Sequence, residues 1–292
     1  MRITNKYNLP QTIVNALNKP TYTKGGAHMS ATELLSPPRM VQLRAKHLDE
    51  IEMDASDMVW SLFGTAIHGV LEHGQGDDHI VEQRLHTEID GWTVSGAIDL
   101  QTVGENAINI SDYKTCGVWA VMNEKAEWEY QLNIYAWLVE RVKKSPVDKL
   151  EIVAIIRDWK RRDAETKRDY PDAPIKVIPI PIWDYQQREQ FVRDRIHLHA
   201  EAMFAAQTGG SLPLCSDEDM WSKPAVWALR KVGNVRAKSL HHSEEAANKA
   251  LAEAGAGFEI EFRPGERTRC QSYCQVRDFC SQWACYSQGE NK

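Results

Sequence analysis

The alternation of apolar and polar positions divides the chain into a series of helices and strands. Recurrence every three to four residues predicts helices, and alternating or continuous Val- and Ile-rich runs predict strands. Helices are predicted from Ser30 and over 38–48, 57–73, 124–142 and 185–207, and strands over 79–89, 92–100, 107–114, 149–159 and 175–182. This order predicts an α/β protein with a mixed central β-sheet flanked by helices.

Loop signals suggest three segments. Lys24, Gly25 and Gly26 favour a loop, so residues 1–28 are predicted to be a loosely docked lead-in. The core is predicted over 29–210, where Gly209 and Gly210 end the last long helix. Residues 211–292 are expected to form a helical, cysteine-rich segment packed on that core.

Two neighbouring strands bring acidic residues and a lysine to one place. Asp112 and Lys114 are two positions apart on the strand over 107–114, so their side chains share a face. Residues 104–106 favour a hairpin turn, which places Asp99 of the preceding strand near the same face. Two carboxylates and one ammonium group are therefore predicted to converge.

Two acidic groups at one spot repel each other unless a cation lies between them. Carboxylate oxygens suit Mg²⁺ or Mn²⁺, and such an ion can activate water and neutralise charge on a phosphodiester. The alternative is an exposed hairpin with a surface Asp–Lys ion pair, which contributes little. An Asp-x-Lys triplet is common by chance, so the surrounding motifs must decide.

Four short motifs follow one another along the chain: Gly-Thr-Ala-Ile-His (64–68), Gly-Ala-Ile-Asp (96–99), Asp-Tyr-Lys (112–114) and Gln-Leu-Asn-Ile-Tyr (131–135). In order, spacing and element type they resemble the PD-(D/E)XK nuclease superfamily, and within it the RecB-like branch that includes phage-type exonucleases. The resemblance covers about residues 30–160 well and implies a restriction-endonuclease-like core.

The resemblance also implies a role for each motif residue. A divalent metal, Mg²⁺ or Mn²⁺, would be held by His68, Asp99, Asp112 and the main-chain carbonyl of Tyr113. The catalytic set would be Lys114, Asp112 and Asp99, with Glu82 as an outer acid. Gln131 and Tyr135 would hold the DNA backbone or orient Lys114, and Thr115 would hydrogen-bond a phosphate or simply end its strand.

Four of the six cysteines lie near the end of the chain: Cys270, Cys274, Cys280 and Cys285. Relatives with an iron–sulfur cluster carry three late cysteines and one early cysteine near a Cys-Pro-Arg triplet, where this chain has Ser36-Pro37-Pro38-Arg39. Three interpretations stay open, namely a 4Fe-4S cluster on the four late thiolates, Zn²⁺ on the same thiolates, or plain reduced thiols. Cys116 and Cys215 are interpreted as structural thiols.

Composition bounds the function without deciding it. The 292 residues are 42% hydrophobic and 26% charged, as in an ordinary globular protein. The sequence has no transmembrane run and no signal-peptide core, so a cytosolic protein is expected, in a bacterial or phage-infected cell. A net charge of -6 argues against non-specific coating of nucleic acid, but a nuclease needs only a local basic patch.

The sequence therefore predicts a metal-dependent deoxyribonuclease, in particular an exonuclease of recombination or repair that acts on single strands or duplex ends. A recombination partner protein is a further expectation. Two alternatives remain: a non-catalytic DNA- or partner-binding module with the same fold, and an endonuclease of the CRISPR-adaptation type.

Overall fold

The computed structural model describes residues 1–19, 23–74, 76–123 and 125–289. The chain forms two compact units. The first comprises Met1–Pro38 and Leu48–Ser211, and the second comprises Arg39–His47 and Leu212–Lys292. In the described residues no helix is both long and apolar enough to cross a lipid bilayer.

The first unit combines eight strands with seven helices among the described residues. Its strands are β1 (Arg2–Thr4), β2 (Met29–Ser30), β3 (Glu52–Asp54), β4 (His79–Ile89), β5 (Trp92–Val103), β6 (Ile108–Cys116), β7 (Val147–Ile156) and β8 (Ile175–Ile180). Its helices are α1 (Gln11–Leu17), α2 (Ala31–Leu35), α4 (Val59–Leu71), α5 (Val118–Met122), α6 (Ala126–Lys143), α7 (Arg161–Thr166) and α8 (Tyr185–Thr208), while α3 (Pro38–Lys46) leads into the second unit.

A mixed six-stranded sheet forms the centre of the first unit. Its strand order is β2-β5-β6-β7-β8, with β4 also paired to β5. β6 and β7 run parallel, whereas β4–β5, β5–β6 and β7–β8 are antiparallel. The predicted fold class is confirmed, and β8 with its prolines is an edge strand as expected.

Helix α6 supplies much of the core beside this sheet. Leu132, Trp137 and Leu138 are fully buried, and each such side chain contributes roughly 1.5–3 kcal/mol on burial. Gly96 of β5 lets α6 approach, because a Cβ there would lie 2.7 Å from Leu138 Cδ1 and 2.9 Å from Tyr135 Cε1. Glu124, the first residue of the predicted helix, lies outside the described residues.

Helix α4 is the predicted helix, but its apolar residues are not buried. No residue of α4 is buried, and Trp60 and Val70 are 59% and 69% exposed. The amphipathic pattern predicts a helix packed by its apolar side, whereas α4 approaches the sheet through small Gly64, whose added Cβ would lie 3.4 Å from Thr115 Oγ1. Trp60, Phe63 and Val70 therefore form part of the protein surface, while Leu62, Ile67 and Leu71 are half-buried.

Two segments contain more regular structure than the sequence pattern predicts. β1 pairs in parallel with β3, so the predicted lead-in includes a strand, although residues 20–22 lie outside the described residues. The second unit holds the strands β9 (Ser222–Lys223), β10 (Val226–Lys231), β11 (Ala237–His241), β12 (Phe258–Arg263) and β13 (Glu266–Arg267), and the helices α9 (Asp217–Met220), α10 (Glu244–Ala254) and α11 (Ser281–Gly289). The antiparallel sheet β11-β10-β12 was not expected in a segment predicted to be helical.

Candidate metal centre and active site

The site lies where β5 and β6 separate. Their pairing ends at Leu100 opposite Ser111, so Asp99 and Asp112 follow side by side beyond the last pair. Asp99 Oδ2 instead accepts a hydrogen bond from the Tyr113 backbone N–H at 2.8 Å. Both carboxylates are buried, at 8% and 1% exposure. The convergence expected of the two strands is present.

Glu82 joins this group through an interruption in β4. The register runs from Val81 opposite Leu100 to Gln83 opposite Ile98 and leaves Glu82 unpaired in the ladder. Glu82 has a φ of 48°, in the left-handed region that costs a non-glycine residue of order 1–3 kcal/mol. The departure from strand geometry directs its carboxylate to His68, which Glu82 Oε1 approaches within 3.2 Å of Nδ1.

His68 of α4 completes the group. Its Nδ1 lies 3.6 Å from Asp99 Oδ1, and its Nε2 lies 3.2 Å from the Tyr113 carbonyl oxygen. One ligand atom from each of His68, Glu82 and Asp99 lies within 4.8 Å of the other two. Helix α4 thus supplies one nitrogen ligand atom, and the adjacent strands β4 and β5 supply one carboxylate each.

The charges of this group repel or attract one another strongly because they are partly shielded from water. The hydrogen bond to Glu82 raises the pKa of His68 to about 9, against the effect of burial and with help from Asp99. Burial, followed by the negative charge of Asp112, raises the pKa of Asp99 to about 7. A cation bound beside Asp99 would favour its ionised form and counter both effects.

Asp112 pairs with the candidate catalytic lysine. Lys114 Nζ lies 2.5 Å from Asp112 Oδ2. Burial alone would lower the pKa of Lys114, but the charges of Asp112 and Asp99 and the hydrogen bond to Asp112 outweigh it and raise that pKa. Lys114 is therefore an ammonium group in this arrangement, a hydrogen-bond donor rather than a free base.

Helix α6 supports Asp112 through a buried hydrogen-bonding side chain. Gln131 Nε2 donates to Asp112 Oδ1 at 3.4 Å and to the Tyr135 hydroxyl at 2.7 Å. Both side chains are buried, at 9% and 4% exposure, which suits orientation of the Asp112–Lys114 pair. The DNA contacts predicted for Gln131, Tyr135 and Thr115 stay predictions.

The donor set fits a divalent cation. An imidazole nitrogen, two carboxylates and the Tyr113 carbonyl face one region, and oxygen-rich sets of this kind suit Mg²⁺ or Mn²⁺. The sequence predicts Glu82 as an outer acid and Asp112 as a ligand, and both roles stay predictions. In the structure Glu82 lies with His68 and Asp99, and Asp112 lies beside Lys114. The sequence holds no local signal for this difference, because it depends on the left-handed backbone of Glu82.

The late cysteines are arranged differently from the sequence-based grouping. Cys270, Cys274 and Cys280 line one pocket of the second unit together with Cys215, while Cys285 is exposed and does not line it. Cys215 lies in a loop far from the others in sequence, so the motif spacing could not include it. Cys116, at the end of β6, is half-buried in the first unit.

No curated protein matches the chain significantly. Among solved structures, the chain is similar to the crystal structure of SSO0001, with 18% identity and a TM-score of 0.43 over 68% of this chain and 91% of that one. It is also similar to a Eubacterium rectale protein provisionally named an exonuclease, with 11% identity and a TM-score of 0.29 over 56% of each chain. A family model described as the PD-(D/E)XK nuclease superfamily matches residues 39–281, most of the chain, and this includes all four motifs that meet at the site. The chain therefore belongs to the PD-(D/E)XK nuclease superfamily.

Proposed function

We propose that the protein is a metal-dependent deoxyribonuclease that hydrolyses phosphodiester bonds. The observation that supports this most directly is the adjacency of two sets of groups: the ligands His68, Glu82 and Asp99, and the buried Asp112–Lys114 pair. The chain belongs to a nuclease superfamily, which supports the same reaction class as the geometry of the site.

The ligand residues would hold Mg²⁺ or Mn²⁺. The nearby negative charge of Asp112 would help to attract the cation. Bound there, such an ion would polarise a phosphate oxygen and lower the pKa of a water ligand. Glu82 orients His68 by their hydrogen bond, and the Tyr113 amide orients Asp99. The protein thus fixes its own donors before any metal or substrate arrives.

Lys114 acts as a positioned cation. Asp112 holds its ammonium group, and Gln131 in turn holds Asp112. From this position the ammonium would donate a hydrogen bond to the attacking water or to a phosphate oxygen and stabilise the charge that builds up in the transition state.

We further propose action on DNA ends, as a RecB-like, phage-type exonuclease of recombination or repair. The four-motif resemblance supports this finer assignment. The cytosolic location and a recombination partner protein are expectations of the same kind. The outward-facing aromatic residues of α4, Trp60 and Phe63, give single-stranded DNA a surface for base stacking beside the site.

The test is a time course on end-labelled linear and circular DNA with Mn²⁺, Mg²⁺ or EDTA. We expect metal-dependent loss of linear DNA, and a fall of roughly 10²–10⁴-fold in rate for Lys114→Ala. Lys149→Ala is the matched control, because Lys149 also pairs with a carboxylate on the sheet, Glu151, but is 54% exposed and outside the site. Full activity of a folded Lys114→Ala protein would refute the assignment.

The alternatives give different products. Binding of DNA without any metal-dependent cleavage would favour the non-catalytic module. Rapid nicking or linearisation of the circle would favour an endonuclease, including one of the CRISPR-adaptation type.

A further inference from the structure

The second unit contains a hairpin that the proposed reaction does not use. Its strands β10 and β11 pair in antiparallel fashion, and residues 232–236 connect them. The sequence around this connection is nearly symmetric, with one cation and one valine on each side of a Gly-Asn pair: Lys231-Val232-Gly233-Asn234-Val235-Arg236. This stretch of six residues is the β10–β11 loop.

The two valines of the β10–β11 loop are turned to solvent. Val235 is 88% exposed, the largest value among the exposed large apolar side chains of the described residues, and Val232 is 59% exposed. Leu240, on the adjoining strand β11, is 55% exposed. Exposed apolar side chains that lie close together within a polar rim are typical of a contact surface.

The backbone of the β10–β11 loop is held in one shape. Three hydrogen bonds fix it, from Val232 N–H to the Gly257 carbonyl at 2.9 Å, from Arg230 to the Asn234 carbonyl at 2.9 Å and from Arg263 to the Val235 carbonyl at 3.1 Å. Gly233 adopts the positive φ of 84° that the turn requires. The valines are therefore presented outward before a partner arrives, which lowers the entropy cost of binding one.

The two arginines that hold the loop are themselves neutralised. Arg230 pairs with Glu259 at 3.1 Å and lies 3.7 Å from Glu261. Arg263 pairs with Glu261 at 2.8 Å. Their charges are balanced within the sheet, so these arginines act as braces for the loop and contribute little to the charge of its surface.

The outer side of the hairpin, by contrast, is positively charged. Residues 220–243 include five lysines and arginines and no aspartate or glutamate, in a chain with a net charge of -6. Lys231, Arg236 and Lys238 are exposed, and in the described part of the chain none of the three forms an ion pair with a carboxylate. This local excess of positive charge complements an anionic partner.

The shape of the hairpin favours duplex DNA as that partner. Single strands are bound mainly by stacking on aromatic side chains, and the β10–β11 loop has none. A two-stranded β-ribbon fits the major groove of a duplex, where apolar side chains contact thymine methyl groups. Lysine and arginine at the sides of such a ribbon contact the phosphates that border the groove.

We propose that the β10–β11 hairpin is a duplex-DNA contact of the second unit. Lys231 and Arg236 bind phosphates on either side of the groove, and Val232 and Val235 contact the base edges within it. This inference rests on DNA being the substrate, as proposed above, and adds a binding site that is separate from the metal centre. The hairpin performs no chemistry, so its loss should raise KM for duplex DNA and leave kcat unchanged.

The first test measures how salt affects binding of a short fluorescein-labelled duplex in EDTA, by fluorescence anisotropy. Lys231→Gln and Arg236→Gln should each weaken binding and reduce the slope of log affinity against log salt by about 0.9, the value for one lost phosphate contact. Lys249→Gln is the control, because it removes an exposed cation from α10 of the same unit and should not change the slope. Unchanged slopes for both loop variants, or an equal change for Lys249→Gln, would overturn the proposal.

The second test removes the apolar tip without changing the charge. Val235→Ser should weaken duplex binding roughly tenfold, near the low end of what burial of a valine side chain contributes, and should leave the salt slope unchanged. Val235→Ile keeps a β-branched apolar side chain and should bind like the wild type. The hydrogen bond at this position is made by the Val235 carbonyl, so both variants retain it. Wild-type affinity of Val235→Ser would contradict a role for the tip.

Neither measurement requires cleavage, so the two proposals can fail separately. A protein that does not cleave DNA, but whose duplex affinity depends on the β10–β11 loop, would refute the nuclease assignment and support the hairpin contact. Metal-dependent cleavage with an unchanged KM in Arg236→Gln would refute the hairpin contact alone. Binding of the wild type to phosphatidylserine vesicles without binding to the duplex would assign the hairpin to a membrane surface and overturn the proposal.

Discussion

Single residues determine how the candidate site responds to protons. His68 has a pKa of about 9 and Asp99 a pKa of about 7, so His68 holds its proton through the neutral range and Asp99 holds its proton below about pH 7. A divalent ion needs neutral imidazole and ionised carboxylate and must displace those protons. Protons and metal therefore compete at the same atoms.

This competition predicts that affinity for Mn²⁺ rises as the pH increases from about 6 to above 8, with release of protons on binding. Calorimetry in buffers of different ionisation enthalpy measures that release. Glu82→Gln replaces a charged ligand oxygen by a neutral amide and should weaken binding, even though loss of its hydrogen bond would lower the pKa of His68. The exposed Glu72→Gln, just after α4, should leave binding unchanged. A pH-independent affinity would contradict the ligand assignment.

At the scale of elements, the site depends on the close approach of α6 to β5. Gly96→Ala would put a methyl group 2.7 Å from Leu138 Cδ1, and overpacking of this kind typically costs about 1–3 kcal/mol of unfolding free energy. Chemical denaturation measures the loss. Gly69→Ala is the matched control, because nothing lies within 4 Å of its added Cβ in α4 and alanine there should stabilise the helix by about 0.5–1 kcal/mol. A neutral Gly96→Ala would show that α6 can shift away.

The exposed side of α4 leads to a prediction about DNA. Arg157 stacks over Trp60 at 4.2 Å, and Trp60 is eight residues, about 12 Å along the helix axis, from His68. Trp60→Ala should weaken binding of single-stranded DNA by about 1–3 kcal/mol, as measured by fluorescence anisotropy without catalytic metal. Phe204→Ala, which removes an aromatic side chain of similar exposure on α8, should have no effect. Equal losses for both variants would exclude a specific stacking surface.

Local patterns predicted elements well where one face of the element is buried. Ser30 caps α2 with Glu33 as expected, and the strands and long helices of the core lie within a few residues of the predicted ranges. The patterns did not reveal pairing between distant short strands, as for Arg2–Thr4 with Glu52–Asp54, because three residues carry too little periodicity. They also predicted a buried face for α4, although none of its residues is buried.

The part of the candidate site that could be predicted is the part that follows from the order of the helices and strands along the chain. His68, Asp99, Asp112 and Lys114 come together because adjacent strands and one helix must place them so. Glu82 was expected only as an outer acid and Cys215 only as a structural thiol, because a left-handed backbone in one case, and hydrogen bonds from Gln282 in the other, bring them into place. Such features arise only when the chain has folded.

At the scale of the whole molecule, metal binding should appear as thermal stability. A ligand that binds only the folded state at a hundredfold excess over its Kd adds about 2.7 kcal/mol. Mn²⁺ should therefore raise the Tm of the wild-type protein by several degrees, as measured by calorimetry or circular dichroism.

Asp99→Asn should abolish that increase. At pH 8, above the pKa of about 7, wild-type Asp99 is ionised in a buried site, so the metal-free variant should be at least as stable as the metal-free wild type. A variant that gains as much Tm from Mn²⁺ as the wild type would place the ion elsewhere.

The left-handed backbone at Glu82 sets stability against chemistry at a single position. Glycine would adopt that conformation without strain, but it would delete the carboxylate that orients His68. An engineer who selects only for a more robust fold would be drawn to this substitution and would lose a donor for the cation. The trade-off makes residue 82 a place where hyperstable variants and active variants should diverge.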